Sequence, residues 1–200
     1  MTYRPSRILH RDPAAEPLVS TPDLAAHLRV DHLVEDAYIA TLLDAAISFF
    51  EFETKTIIRP STLRMKLDHW PTDRVLTLPR PPFRAIDCVQ YIDPAGQTQI
   101  LSGSSYEADP ESRPGRVRFA DELPEVYNRF GAITVDWFAG YGPYALGEST
   151  EVPEMLIQGI KLLVGTWYEN RADVSDRRVN PTPIAVDRII DHFKHIEVPG

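Results

Sequence analysis

The chain has 200 residues, 43% of them hydrophobic, enough for one domain that buries about 70% of the surface its unfolded form would expose. Its formal net charge of -8 argues against broad phosphate binding, which draws on lysines and arginines that displace counterions. Cys88 is the only cysteine, which excludes an intrachain disulfide and fits a reducing compartment; no apolar run reaches the eighteen or so residues a membrane span requires, and Met1 to Asp12 has no secretory h-region, so the chain is expected to be soluble and unprocessed.

Residues 1–20 carry Arg4, Arg7 and Arg11 among Pro5, Pro13 and Pro17, with too little apolar surface to order themselves, and are expected to form a flexible arm. At Ser20-Thr21-Pro22-Asp23 a helix begins: hydroxyl caps, a proline where its missing N–H costs nothing, and a carboxylate near the positive end of the dipole. It runs to about Leu28. A longer helix follows from Asp36 to about Ile58, with Ile39, Leu42, Leu43, Ala46, Ile47 and Phe50 as the buried stripe and Thr41, Asp44, Ser48, Glu51 and Lys55 as the polar line. Phe49 and Phe52 flank that stripe. They offer either a subunit contact or extra burial in their own domain.

Between Thr62 and Asp68 the period changes to two, with Leu63, Met65 and Leu67 on one face of a half-buried strand. Arg74 to Leu78 reads as its partner, before Pro79, Pro81 and Pro82 break the pattern. Arg84 to Asp93 resumes as a strand and ends at Asp93-Pro94-Ala95-Gly96, a type I turn signature that implies a hairpin into Gln97 to Leu101. Gly115 to Phe119 and Ala132 to Phe138 complete what should be an antiparallel sheet, since no helix-length crossover separates the strands. Pro153-Glu154 opens a third helix with Leu156, Ile160, Leu163 and Trp167 at helical spacing, fading at Asn170 to Asp173. A polar tether containing Arg177, Arg178, Asn180, Pro181 and Pro183 then leads to a short helix at about 184–196 that aligns Val186, Ile189, Ile190 and Phe193.

The fold class is therefore α+β: a helical body made of the N-terminal (21–58) and C-terminal (153–172) helices packed together, with an antiparallel β-rich insertion (62–138). Residues 21–175 read as a single domain, followed by a tethered segment at 176–200.

Residues that could carry chemistry have plainer readings. His192 and His195 sit three apart near Asp191, but a structural or catalytic metal needs a further ligand cluster and none is evident. Gly140, Gly142 and Gly147 match neither a P-loop nor a dinucleotide fingerprint and suit turns. Cys88 lies inside a strand pattern without an activating histidine, which favours a small buried hydrophobe over a nucleophile. Arg116 and Arg118 share a strand face and read as ordinary solvation. No catalytic, cofactor or metal residue is assigned, and the chain is not read as an enzyme.

The order of motifs does resemble a known family. His27-Leu28-Arg29-Val30-Asp31, Glu35 to Ile39, Ala45-Ala46 and Phe50-Glu51 look like the opening of the phage head-tail connector (adaptor) family, which includes gene transfer agent proteins. The likeness continues through His69-Trp70-Pro71, Leu78 to Pro82, Val89 to Gly96, Ala139 to Gly142, Val152-Pro153 and Trp167 to Arg171, spanning roughly Thr21 to His195. The resemblance implies a subunit of a ring, expected to be dodecameric, below the portal in the neck of a tailed phage or gene transfer agent particle. Such a protein is a structural part of the virion, is assembled in the bacterial cytoplasm, binds itself, the portal protein and a stopper or tail-side neck protein, and lets DNA pass without specific binding or any membrane. Carried onto this sequence, the portal-side candidates are Trp167, Tyr168, Arg171, Arg177, Arg178, Ile189, Ile190 and Phe193, with Phe49 and Phe52 as subunit-side candidates. Other readings are a stopper or tail terminator, a nucleic-acid module with a basic face, and a small α+β enzyme with a cleft near His69, Asp87 or Cys88.

Overall fold

A computed structural model describes residues 3–11, 18–30, 35–143, 149–170 and 182–195. The chain divides into two compact units where the sequence suggested one core: Met1–Ala15 with Arg59–Ser149 and Glu197–Gly200, and Glu16–Ile58 with Thr150–Ile196.

The second unit is helical. Helix α1 (Thr21–Leu28) starts as expected, with the Ser20 hydroxyl accepting the Asp23 N–H at 3.2 Å and donating to the Asp23 carboxylate at 2.7 Å. Helix α2 (Asp36–Thr54) buries Ile39, Leu43, Ala46, Ile47 and Phe50, helix α3 (Glu154–Glu169) buries Leu156, Ile160, Leu163 and Val164, and helix α4 (Ile184–Phe193) buries Val186 and Ile190. Each such aliphatic or aromatic side chain contributes about 1.5–3 kcal/mol when fully withdrawn from water. Gly159 sets how closely the helices approach, because a β-carbon there would lie 2.8 Å from Phe50 Cζ and 3.2 Å from Ile189 Cγ2.

Helix α2 stops before the apolar period does. Lys55 takes a left-handed conformation (φ 58), and the Thr54 hydroxyl turns back to donate to the Phe50 carbonyl at 2.6 Å. Glu51, expected on the polar line, is instead 1% exposed: its Oε1 accepts the Ile58 N–H at 2.8 Å as the chain leaves the helix. At the far end of the unit the His195 N–H donates to the Thr54 carbonyl at 2.9 Å, so the exit from α4 is fastened beside the exit from α2.

Among the described residues the first unit holds a five-stranded and a three-stranded antiparallel sheet. The larger combines β1 (Tyr3–Arg11), β2 (Ser61–Leu67), β4 (Phe83–Ile92), β5 (Thr98–Ile100) and β8 (Ile133–Ala139) in the order β1-β2-β8-β4-β5; the smaller orders β3 (Val75–Leu78), β7 (Gly115–Phe119) and β6 (Tyr106–Asp109) as β3-β7-β6. The expected arm is thus in part a strand. Main-chain bonding to β2 orders Tyr3–Arg11 without the apolar burial that composition says it lacks. A second expectation also fails: β3 pairs with β7, not with β2, whose neighbours are β1 and β8. The hairpin turn holds, with the Gly96 N–H reaching the Asp93 carbonyl at 2.8 Å and β5 returning along β4.

Trp70 joins the sheets. Its ring centroid lies 6.2 Å from that of Tyr91 on β4 and 5.2 Å from that of Phe119 on β7, while its indole N–H donates to the Pro124 carbonyl at 2.9 Å. Nearby, a β-carbon at Gly115 would meet Phe83 Cβ at 2.5 Å, so β4 and β7 can be this close only with glycine there. Gly115→Val should therefore destabilise the protein by about 2–3 kcal/mol through overpacking, measured as a lower urea midpoint, whereas Arg118→Val on the exposed face of the same strand should change it little.

Candidate functional site

The five-stranded sheet has two unlike faces. Ile133, Val135, Trp137 and Ala139 of β8 are buried with Leu63, Met65 and Leu67 of β2 and Val89 of β4. Across the ladder the other face pairs Arg64 with Asp136 and Asp136 with Cys88. Arg64 grips Asp136 in two parallel bonds, Nε to Oδ1 at 2.7 Å and Nη2 to Oδ2 at 2.6 Å. That hydrogen bonding is the main reason the guanidinium holds its proton more tightly than usual, against a smaller opposing effect of burial. On its other side Arg64 lies opposite Arg7 of β1, a like-charge pair that would repel were Arg64 not turned to Asp136.

Cys88 is half-buried on this face, and its desolvation pushes the thiol up from its ordinary value despite a hydrogen bond with Gln90 that works the other way. A raised pKa means less thiolate at any pH below it, the opposite of what a nucleophile needs. His69 and Asp87 are exposed, so the three residues do not gather around a buried pocket. An open cleft of about 390 Å³ near the start of β3 is lined in part by Arg74, Arg118 and Asp121, with Arg74 and Asp121 paired to each other. Arg116, considered with Arg118 for phosphate contact, is tied to Asp109 at 2.7 Å.

The interaction candidates fall into three groups. Trp167 packs edge-on against Phe49 with ring centroids 6.0 Å apart, and Phe49 is likewise edge-on to Phe50, so the first of the two subunit-side candidates serves its own helical unit. Tyr168 stacks at a tilt on Tyr38 and donates its hydroxyl to Glu35, at the start of α2. Ile190, expected as an apolar anchor for a partner, is 6% exposed and packs within its unit, with Ile189 half-buried over Gly159; helical periodicity cannot say which body the apolar face covers. Phe193 is half-buried with its ring edge-on to His192. Phe52 does face outward at 64% exposed, with the Lys55 ammonium 4.3 Å above its ring. Arg171, Arg177 and Arg178 lie outside the described residues.

Two features escaped the sequence reading. The Arg64–Asp136 pair joins residues 72 positions apart, and nothing local marks it. The loop before β8 is the other: Tyr127 and Phe130 are 45% and 75% exposed. Two aromatics spaced among Glu122, Glu125 and Arg129 were the available signal.

No protein-family model and no curated protein matches the sequence. Solved structures do resemble it. A protein in the neck of an empty GTA particle computed with C6 symmetry matches with a TM-score of 0.76 and 23% identity over 98% of both chains. One in the virion of a native gene transfer agent particle gives 0.74 and 23% over 98% of this chain and 97% of that one, and one in the neck of a native GTA particle computed with C12 symmetry gives 0.66 and 24% over 93% and 96%. At such identities the likeness shows the fold: mixed α+β with antiparallel sheets, as in a gene transfer agent neck protein.

Two outcomes follow from the outer face of the sheet. Asp136→Ala should cost about 2–3 kcal/mol in thermal unfolding, below the full value for a buried pair because Arg64 keeps 29% of its side chain in solvent. Cys88 should react at pH 8 severalfold more slowly with a disulfide reagent than free glutathione does, and at the glutathione rate only once the protein is denatured.

Proposed function

We propose that this chain is a structural subunit of the neck of a gene transfer agent or tailed phage particle, an adaptor that forms a ring below the portal, joins head to tail and extends the DNA channel. The observation that carries the reading is the agreement of fold over nearly the whole of both chains with a protein of a gene transfer agent neck. The symmetries of the related necks, C6 and C12, support a closed ring of copies, expected to be dodecameric. A closed ring needs a heterologous interface, one surface of a subunit seated on a different surface of the next. Phe52 supplies exposed aromatic area on the helical unit for such a contact. The net charge of -8 suits a channel wall that lets DNA slide past without holding it. The role is construction, with assembly in the bacterial cytoplasm and no cofactor or turnover.

The portal contact is assigned to the C-terminal part of the chain. Since Val186 and Ile190 belong to the helical core, the contact surface is narrowed to the side chains α4 leaves outward, such as Ile184 at 79% exposed, and to the arginines that precede it. Phe193, Trp167 and Tyr168 remain candidates for this contact. Arg177→Glu combined with Arg178→Glu should leave the melting temperature within a degree or two of wild type yet reduce attachment to portal-bearing heads by at least tenfold, scored by negative-stain imaging. Normal attachment by that variant would refute the assignment. Binding of the wild-type chain to tail tips and not to portals would make it a tail-side neck protein.

A further inference from the structure

The β unit carries two exposed surfaces that complement each other. The first is at the end of the larger sheet where β4 turns into β5 and the chain enters β8. There Tyr127, Phe130 and Ile100, the last 71% exposed, hold three of the four most exposed large apolar side chains of this unit among the described residues. The Tyr127 N–H donates to the Ile92 carbonyl at 2.8 Å, which fixes the loop to the end of β4. Glu122 and Glu125 are exposed on the same loop, with Arg129 as its one cation.

The second surface is the outer edge of β1. Its ladder to β2 shifts register between Ile8 and His10, and the extra residue, Leu9, is the fourth of those exposed apolar side chains at 38%. Arg7 and His10 beside it are exposed too, and Asp136, which lies two strands in from Arg7 across the ladder, is already held by Arg64. The edge is therefore apolar at Leu9 and cationic beside it at Arg7.

Register places the two surfaces at opposite corners. β1 and β5 are the two outermost strands, roughly 19 Å apart at about 4.8 Å per strand. Along the strands, Arg11 pairs with Ser61 and Ser61 with Ala139, while the acidic loop enters at Ile133, the other end of β8. A subunit thus presents an acidic, aromatic corner and a basic, apolar edge that it cannot bring together itself.

We propose that the β units of neighbouring copies meet here, the β1 edge of one copy seated on the Tyr127–Phe130 corner of the next. Resting on the ring reading above, this names the surfaces that close the ring. Leu9 enters the aromatic corner, and Arg7 faces Glu122 and Glu125 across its rim. An isologous contact of β1 with β1 would bring the Arg7 side chains of two copies to one edge, so charge favours the heterologous pairing that closes into a ring.

The test uses full-length chains added to portal-bearing heads, with wild type, Arg7→Glu, the pair Glu122→Arg with Glu125→Arg, and all three together. Wild type should form rings; Arg7→Glu and the double variant should each lower ring occupancy by at least tenfold, and the triple variant should recover most of it. A second measurement covers a variant that fails to fold: Leu9→Cys with Phe130→Cys in a Cys88→Ser background, treated with a short bismaleimide, should give a ladder of linked subunits from assembled rings. Rings in which the charge variants assemble like wild type, or in which no intersubunit link forms, would overturn the proposal and leave the ring reading standing. Heads that acquire no ring of the wild-type chain would overturn both.

Discussion

Strand β8 organises the β unit because it lies between β2 and β4 and is registered with β2 from Ser61–Ala139 to Leu67–Ile133. Its period of two puts Val135 and Trp137 in the core and Asp136 on the opposite face, where Arg64 holds it from the neighbouring strand. A slip of β2 by one residue would bring Arg64 and Lys66 into the core and turn Leu63, Met65 and Leu67 outward, losing several kcal/mol of burial and leaving charges without water. The ion pair is thus less a source of net stability than a marker of register: its own desolvation offsets much of the attraction, but only the correct pairing satisfies both partners. Everything lateral to β8 depends on that choice, including the cationic edge at β1 and the position of the loop that enters at Ile133.

Much of this architecture was legible in the sequence, and the failures have specific causes. The capping residues before α1, the stripe of α2, the alternation of Ser61–Leu67 and the Asp93 to Gly96 turn are local signals, and each formed as its residues suggest. What local signals cannot carry is partnership. The proximity of Arg74–Leu78 to the preceding strand suggested a hairpin, yet β3 pairs with β7 about forty residues later, since Trp70 and the Gly115–Phe83 contact create a second layer. Edge strands are equally hard to read: β1 needs no apolar face of its own, only a neighbour with free main-chain groups. Glu51 makes the same point for the helices, where a charged residue on the nominally wet line is buried to satisfy a backbone N–H.

The site candidates divide along the same lines. Helical spacing shows which aromatic and apolar residues share a face, but it cannot tell a core from a docking face. Phe49, Trp167 and Ile190 turned inward, Gly159 being what lets α4 sit so close to α3. Phe52 stayed outward because α2 ends two residues later, before another turn could cover it. Phe130, the most exposed aromatic side chain of the β unit among the described residues, sits in a loop without periodicity of any kind, where pattern reading has nothing to work on.

An open sheet edge is a hazard for a protein present in many copies, since unpaired main-chain groups accept any compatible strand. Native proteins blunt such edges with charge, bulges or a cover. The β1 edge has the first two, in Arg7 and in the register shift that lifts Leu9 outward. These devices do more than prevent aggregation. Like charges on one edge repel a second identical edge, and a bulge interrupts continuous pairing, so the open-ended stacking of sheets is disfavoured while a contact made through side chains to an acidic surface is not. Protection of a free edge and selection of a ring partner are then one physical property, written in the same few residues.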